Sequence, residues 1–445
     1  MEKLKDKFIR EFKEFELSNG NAAQGIHPLR VAAIERFKEA GLPTLKDENW
    51  RYTKTDFLDK YDFRLQTERP DKLIDASIVA DLESDEIDEI CVVILNGFYC
   101  PELTDLGELN RHVIVSGLEN ALKDYGQDIE KMMNESEHPE SDGYYELNTA
   151  FARGGVYIKV PDGVSPEKPI RLLFINDARD ADIMSQPRNL IDVGKNAGCR
   201  IVESVNTVGD HAAFSNILTE IRMADGAKVE YDKVQNDTDK SFYIGSVLID
   251  QKRDSVYNST NVSLGGKFVR NYTNARLNGK GCESNFNGLY FVDGEDFIDN
   301  QTLVDHIEPN CNSNELFKGI LDDKAVGVFR GKVIVHPDAQ KTNAFQSNNN
   351  ILMSDDAKIN TKPQLEIYAD DVKCSHGATS GNLDKESLFY MQARGIGEEM
   401  AKSLLLNAFA GEVIEKVNIP GLRDEIKRLV AKRLTVDDLY FCDVL

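Results

Sequence analysis

The sequence predicts a mainly β protein: a right-handed parallel β-helix flanked by helical segments at both ends. Three observations predict it. From about residue 147 to 375, short runs of Val, Ile, Leu, Phe and Tyr alternate with polar residues and are broken by turn formers. Within that tract a motif recurs: one or two turn-forming residues, a small residue, then an alternating strand. On both flanks the apolar residues fall at helical spacing instead. The chain therefore divides into an N-terminal helical and mixed domain (1–146), the β-helix (147–381) and a C-terminal helical domain (382–445).

In the N-terminal domain, Leu4, Phe8, Ile9, Phe12 and Phe15 give one amphipathic helix. Residues 28–40 give a second, with Pro28 in its first turn and Gly41 and Pro43 ending it. KDENWRYTKTDF follows, with the only tryptophan, Trp50. It reads as an aromatic anchor that locks the helical cap onto its neighbour, in preference to a ligand-binding residue. Residues 89–96 read as a buried strand and 117–134 as a helix, while ESEHPESDG (135–143) reads as a polar loop and domain boundary.

In the β tract the small residues of the motif stand at 197, 227, 255, 281, 325, 339 and 357, separated by 30, 28, 26, 44, 14 and 18 residues. These gaps cluster near multiples of roughly fifteen, as stacked coils with tight turns would give. A small residue at the corner is a steric requirement, because neighbouring coils leave little room there. A β-sandwich ranks second, since hairpin signatures such as Asn-Gly are few at the strand joins.

Residues 354–381 close the tract and hold the one close Cys/His pair, Cys374 and His376. Leu365, Ile367 and Val372 alternate with charged neighbours, which predicts strand geometry. If the strand continues through 376, Cys374 and His376 share a face about 7 Å apart. His306, near Cys311, reads as structural within a loop entering the strand at Leu316. After Gly381, Ile396, Met400, Leu404, Phe409 and Val413 mark a helix with a break at 395–397, and Asn418 and Pro420 restart another.

Composition narrows the function. Fifty-three basic against 76 acidic residues give a net charge of −23, which disfavours nucleic acid or an anionic membrane as the main ligand. No apolar run reaches the roughly 20 residues that span a bilayer. The N-terminal stretch MEKLKDKFIREFKEFEL does not read as a secretory signal, so a cytoplasmic location is expected. Seven scattered cysteines without a CxxC argue against a disulfide framework or a self-contained metal site, and most of them read as buried small hydrophobes. Walker, Rossmann, GxSxG and HExxH motifs are absent. A carbohydrate-active β-helical enzyme is the enzymatic alternative, and it predicts secretion and a groove of carboxylates.

SNELFKGIL (313–321), VFRGKVIV (328–335), AQKTNAFQSNNNILMS (339–354), PQLEIYADDVKCSHGAT (363–379), LFYMQARGI (388–396) and KDENWRYT (46–53) together resemble the SufD family, the paralogue of SufB in iron–sulfur cluster assembly. The resemblance implies a right-handed β-helix core and a non-catalytic scaffold that pairs with SufB through β-helix ends. It implies that the SufC ATPase docks on the C-terminal helices, with Phe389, Tyr390, Arg394 and Ile396 in the contact. ATP would enter only through SufC, whose motion would open the interface where a cluster forms. His376 then matches the family's interface ligand, and Cys374 is its neighbouring thiol. SufB carries a cluster cysteine where this chain has Ala357, so a transient Fe–S cluster would be shared with SufB rather than held by this chain alone. Reduced flavin is associated with some such assemblies, but no stretch here locates a flavin site. A homodimer that only stabilises SufC, without cluster ligands, is the remaining alternative.

Overall fold

The computed structural model describes residues 2–19, 25–84, 87–107, 109, 112–135 and 142–434. Residues 136–141 of the expected polar loop, and Cys442, lie outside the described residues.

Two long parallel sheets face each other and form a β-helix. In one sheet, Gly198, Lys228, Val256, Glu283, Asn312, Asn343 and Lys373 lie in register on successive strands. The steps are 30, 28, 27, 29, 31 and 30 residues, so one coil takes about thirty residues. The expected fifteen is half a coil, because every coil contributes one strand to each sheet.

The turn motif has a backbone cause. Asn196, Gly226, Asp254, Gly281, Asn310 and Lys341 all have positive φ, between 50 and 75°, and each stands two residues before a strand of this sheet. That left-handed conformation favours Gly, Asn and Asp. The small residue follows it, giving a corner column of Ala197, Ala227, Ser255, Cys282, Cys311 and Thr342. Two expected small positions shift accordingly: the corner is Cys282 rather than Gly281, and Thr342 rather than Ala339. Ala325 and Ala357 instead precede strands Val326–Val335 and Lys358–Ile367 of the opposite sheet.

The helical flanks cover the two sheets from outside. Helices Glu2–Asn19 and His27–Ala40 bring Phe8, Phe12, Phe15 and Phe37 into one cluster with Phe214, Phe242 and Phe268. Helices Glu398–Ile414 and Pro420–Arg433 bury Leu406, Val413, Leu422 and Ile426 against Val234, Val262, Leu289 and Ile320 of the other sheet. Trp50 is the anchor the sequence predicts. Its Nε1 donates to Asp142 Oδ2 at 2.9 Å, its ring stacks on Tyr144, and the Arg270 guanidinium sits 3.8 Å above it. Thr53 and Arg270 both bond Asp299, so the KDENWRYT strap is tied to the sheet itself.

The two ends differ. At the N-terminal end, strands Phe98–Tyr99 and Ile114–Gly117 pair antiparallel with Ile90–Leu95 and Val156–Val160, and helix Leu118–Glu135 packs nearby. At the C-terminal end the last strands, Lys358–Ile367 and Lys373–Gly381, each pair on one side only among the described residues.

Candidate functional site

The stretch that carries the Cys/His pair is two strands, not one. Leu365 and Ile367 belong to Lys358–Ile367, and after a turn Lys373–Gly381 lies in the opposite sheet. The turn arises because each coil must cross from one sheet to the other, which local alternation cannot register. Cys374 and His376 nonetheless share a strand, and its alternation puts them on one face.

Cys374 is half-buried against the β-helix core beside Val372, and burial pushes its thiol pKa up. His376 is exposed. Cys374 pairs with Ala344 and packs with Val372 against the core, whereas His376 pairs with Gln346, and neither has a strand on its other side among the described residues.

That Gln346 begins a polar column that sequence reasoning missed. Register stacks His376 on Gln346 and Gln346 on Glu315. Gln346 Nε2 donates to Glu315 Oε1 at 3.1 Å, and Thr302 Oγ1 of the facing sheet donates to Oε2 at 2.5 Å. Burial still dominates and pushes the Glu315 carboxyl up to about 7. Gly331 makes the arrangement fit, because a Cβ there would come within 2.0 Å of Gln346 Nε2. Gln346 Oε1 is buried with no hydrogen-bond partner among the described residues, an acceptor directly below the exposed imidazole. No sequence signal joins residues about thirty apart until the coil length is known.

Cys374 and His376 offer a soft and a borderline donor, two of the four that a tetrahedral iron site takes. Among the described residues, no group of three or more His, Cys, Asp and Glu is placed to hold a metal ion. His306 is structural, as its sequence context suggests, but it ends strand Phe297–His306 rather than lying in a loop. Its Nε2 is 2.9 Å from Ser313 Oγ, and burial pulls its pKa down to about 4. The next strand begins at Asn312, earlier than the expected Leu316.

Three residues separate the terminal strand from helix Lys385–Ala393, which buries none of its residues. Phe389 and Tyr390 on it are 72% and 57% exposed. The Arg394 guanidinium lies 4.5 Å from the Tyr390 ring, and Ile396 is half-buried at the break before the next helix.

The SUF system FeS cluster assembly, SufBD core domain matches residues 174–409, and the SufBD protein N-terminal region matches residues 2–172. The chain belongs to the SufBD family. An iron–sulfur cluster assembly SufBD family protein of Synechocystis sp. is 30% identical over 439 residues, covering 96% of this chain and 95% of the relative. The iron–sulfur cluster assembly protein SufD of Escherichia coli is 30% identical over 410 residues, 90% of this chain and 91% of the relative. SufD of Bacillus subtilis is 25% identical over 338 residues, 75% of each chain. The SufD resemblance read from the motifs thus extends over most of this SufBD protein, and SUF iron–sulfur cluster assembly is its setting. No described helix is long and apolar enough to cross a membrane.

Proposed function

We propose that this SufBD protein is a non-catalytic scaffold subunit that pairs with SufB through the open end of its β-helix and binds the SufC ATPase through its C-terminal helices. One observation carries the reading: the strand bearing Cys374 and His376 ends its sheet with an uncovered face and a free outer edge among the described residues. Such an edge is a template for pairing with another chain. Of the two terminal strands, Lys358–Ile367 is blunted by Pro363, Lys358 and Lys362, whereas Lys373–Gly381 carries one lysine at its start and no proline. The partner therefore pairs at Lys373–Gly381, beside the two metal donors.

In this reading His376 and Cys374 supply part of a ligand set, and SufB supplies the rest. The transient Fe–S cluster is cargo shared between the subunits. Cys374 must give up its proton to bind iron, and burial, which raises its pKa, works against that loss. SufC docks at Phe389, Tyr390, Arg394 and Ile396. The short link from that helix to the terminal strand would carry ATP-driven motion to the interface. ATP enters only through SufC, and the assembly works in the cytoplasm.

Co-expression with SufB and SufC, followed by size-exclusion chromatography, tests the reading. A co-eluting three-protein complex is expected, and removal of residues 385–445 should release SufC while SufB stays bound. A chain that elutes alone and leaves SufC ATP hydrolysis unchanged would refute it. Full cluster formation with His376→Ala would instead support a SufC-stabilising homodimer without ligands.

A further inference from the structure

Away from the open end, two cysteines meet in the corner column. Cys282 and Cys311 precede strands Glu283–Val292 and Asn312–Leu321, whose first residues are register partners. The two residues therefore stack on consecutive coils, with Cα atoms about 4.8 Å apart by interstrand spacing. That lies within the roughly 4.4–6.8 Å that a disulfide bridges.

The side chains converge as well. Within this column, Ser255 Oγ donates to the Lys252 carbonyl at 2.6 Å and Thr342 Oγ1 to the Ala339 carbonyl at 2.9 Å, each three residues back. Cys282 follows the pattern, with Sγ 3.0 Å from the Gly279 carbonyl oxygen. Cys311 departs from it. Its Sγ reaches down one coil to the same Gly279 oxygen, at 3.2 Å. One carbonyl thus gathers both sulfurs. Interaction between the two side chains pulls the Cys282 pKa down and pushes that of Cys311 up.

We propose that Cys282 and Cys311 form a reversible disulfide that staples two consecutive coils of the β-helix when the protein meets a peroxide. The chemistry balances in two steps. The Cys282 thiolate attacks hydrogen peroxide and, with one proton, becomes a sulfenic acid while water leaves. The Cys311 sulfur then attacks the sulfenic sulfur, forming the S–S bond and releasing a second water. Overall two thiols lose two electrons and two protons to one peroxide. A dithiol reductant reverses the bond by thiol–disulfide exchange. Both side chains are fully buried, but the turns above them, at Arg253, Lys280 and Asn310, are exposed. Oxidant access through local opening of those turns makes the reaction slow compared with that of a surface thiol.

The test uses the full chain carrying Cys374→Ser, so that the half-exposed thiol does not compete. The reduced protein is treated with hydrogen peroxide, remaining thiols are blocked, and non-reduced peptides are mapped by mass spectrometry. The expected product links the Cys282 and Cys311 peptides, with two hydrogens lost, and dithiothreitol restores both thiols. Cys282→Ser and Cys311→Ser should each abolish the link, while the blocked fraction of Cys91, Cys100 and Cys199 stays unchanged. Recovery of both residues as free thiols after prolonged peroxide, or of Cys282 as a sulfinic acid with Cys311 still reduced, would overturn the proposal. The linkage is read directly on the chain with both cysteines present, so the test survives a variant that folds poorly.

Discussion

The two ends of the β-helix pose the same physical problem and answer it differently. A stack of coils must end somewhere, and each end leaves two sheet edges with unpaired backbone groups. At the N-terminal end the edges shrink to Phe98–Tyr99 and Ile114–Gly117, of two and four residues, both run antiparallel, the second beside helix Leu118–Glu135. At the C-terminal end the edge strands are ten and nine residues long, and the last is exposed at every position but Cys374. Polarity alone does not explain the contrast, because Gln346 and Asn348 one coil below are buried. Among the described residues no strand covers the outer side of Lys373–Gly381. An end closed by the chain's own elements and an end open among the described residues are what the proposed pairing requires.

The comparison breaks most visibly where burial is deepest. Near the closed end, Arg188 and Glu220 form an ion pair with both side chains 1% exposed, and Thr149 accepts from the same guanidinium. Glu220→Ala leaves a buried charge without its partner and should cost about 3–5 kcal/mol in urea denaturation. Lys362→Ala near the open end removes an ion pair with Glu48 that is 44% and 66% exposed, and should cost ~1 kcal/mol or less. Equal losses would mean the two ends are packed alike.

Glycine substitutions sharpen the same contrast. Gly155 has φ 98°, and a Cβ there would lie 2.1 Å from the Arg188 carbonyl oxygen. Gly155→Ala should therefore destabilise by roughly 2–3 kcal/mol or more. Gly377, on the terminal strand, has nothing within 4 Å of its would-be Cβ. Gly377→Ala should change stability by only about 0.5 kcal/mol, read as an unchanged melting temperature in calorimetry.

Two coils below the open end, Glu315 gives a pH-dependent probe of where the closed interior begins. Burial raises its folded-state pKa from 4.5 to about 7. Its stabilising effect is therefore complete below pH 4.5 and is lost as pH rises through about 7. Glu315→Gln should remove that loss and be more stable than the parent above pH 7, by roughly 3 kcal/mol. His306 works in the opposite sense, its stabilisation disappearing as pH falls from 6.5 towards about 4. The difference between variant and parent across pH 4.5–7.5 isolates the carboxyl, and identical curves would mean that water reaches Glu315 from the open end.

The smallest stability effect belongs to the exposed helix. Phe389→Ala should leave the melting temperature within about 1 °C, since the side chain is 72% exposed, yet weaken SufC binding at least roughly tenfold. Unchanged SufC affinity in titration calorimetry would move the docking surface elsewhere.

Much of this fold was legible before the structure, and the failures share one cause. The helices at both ends, the Trp50 anchor, the strand at 90–95 and the breaks at Gly41 and Gly395 are local patterns, set by periodicity and by backbone conformation. The turn-then-small-residue motif was also visible, because left-handed backbone and crowded corners restrict residue types at fixed offsets. What sequence could not supply was stacking order. Without knowing that Glu315, Gln346 and His376 are vertical neighbours, the column under the candidate ligand is three unrelated residues. The same ignorance halved the coil length and merged two strands at 365–376.

Hydrogen–deuterium exchange of the strand Lys373–Gly381, with and without SufB at low protein concentration, tests the central claim most directly. The account predicts fast exchange of the outward-facing amides in the free chain and strong protection when SufB is added, while Ala213–Met223 in the middle of the stack stays protected throughout. A SufB complex that leaves Lys373–Gly381 exchanging as fast as before would contradict it.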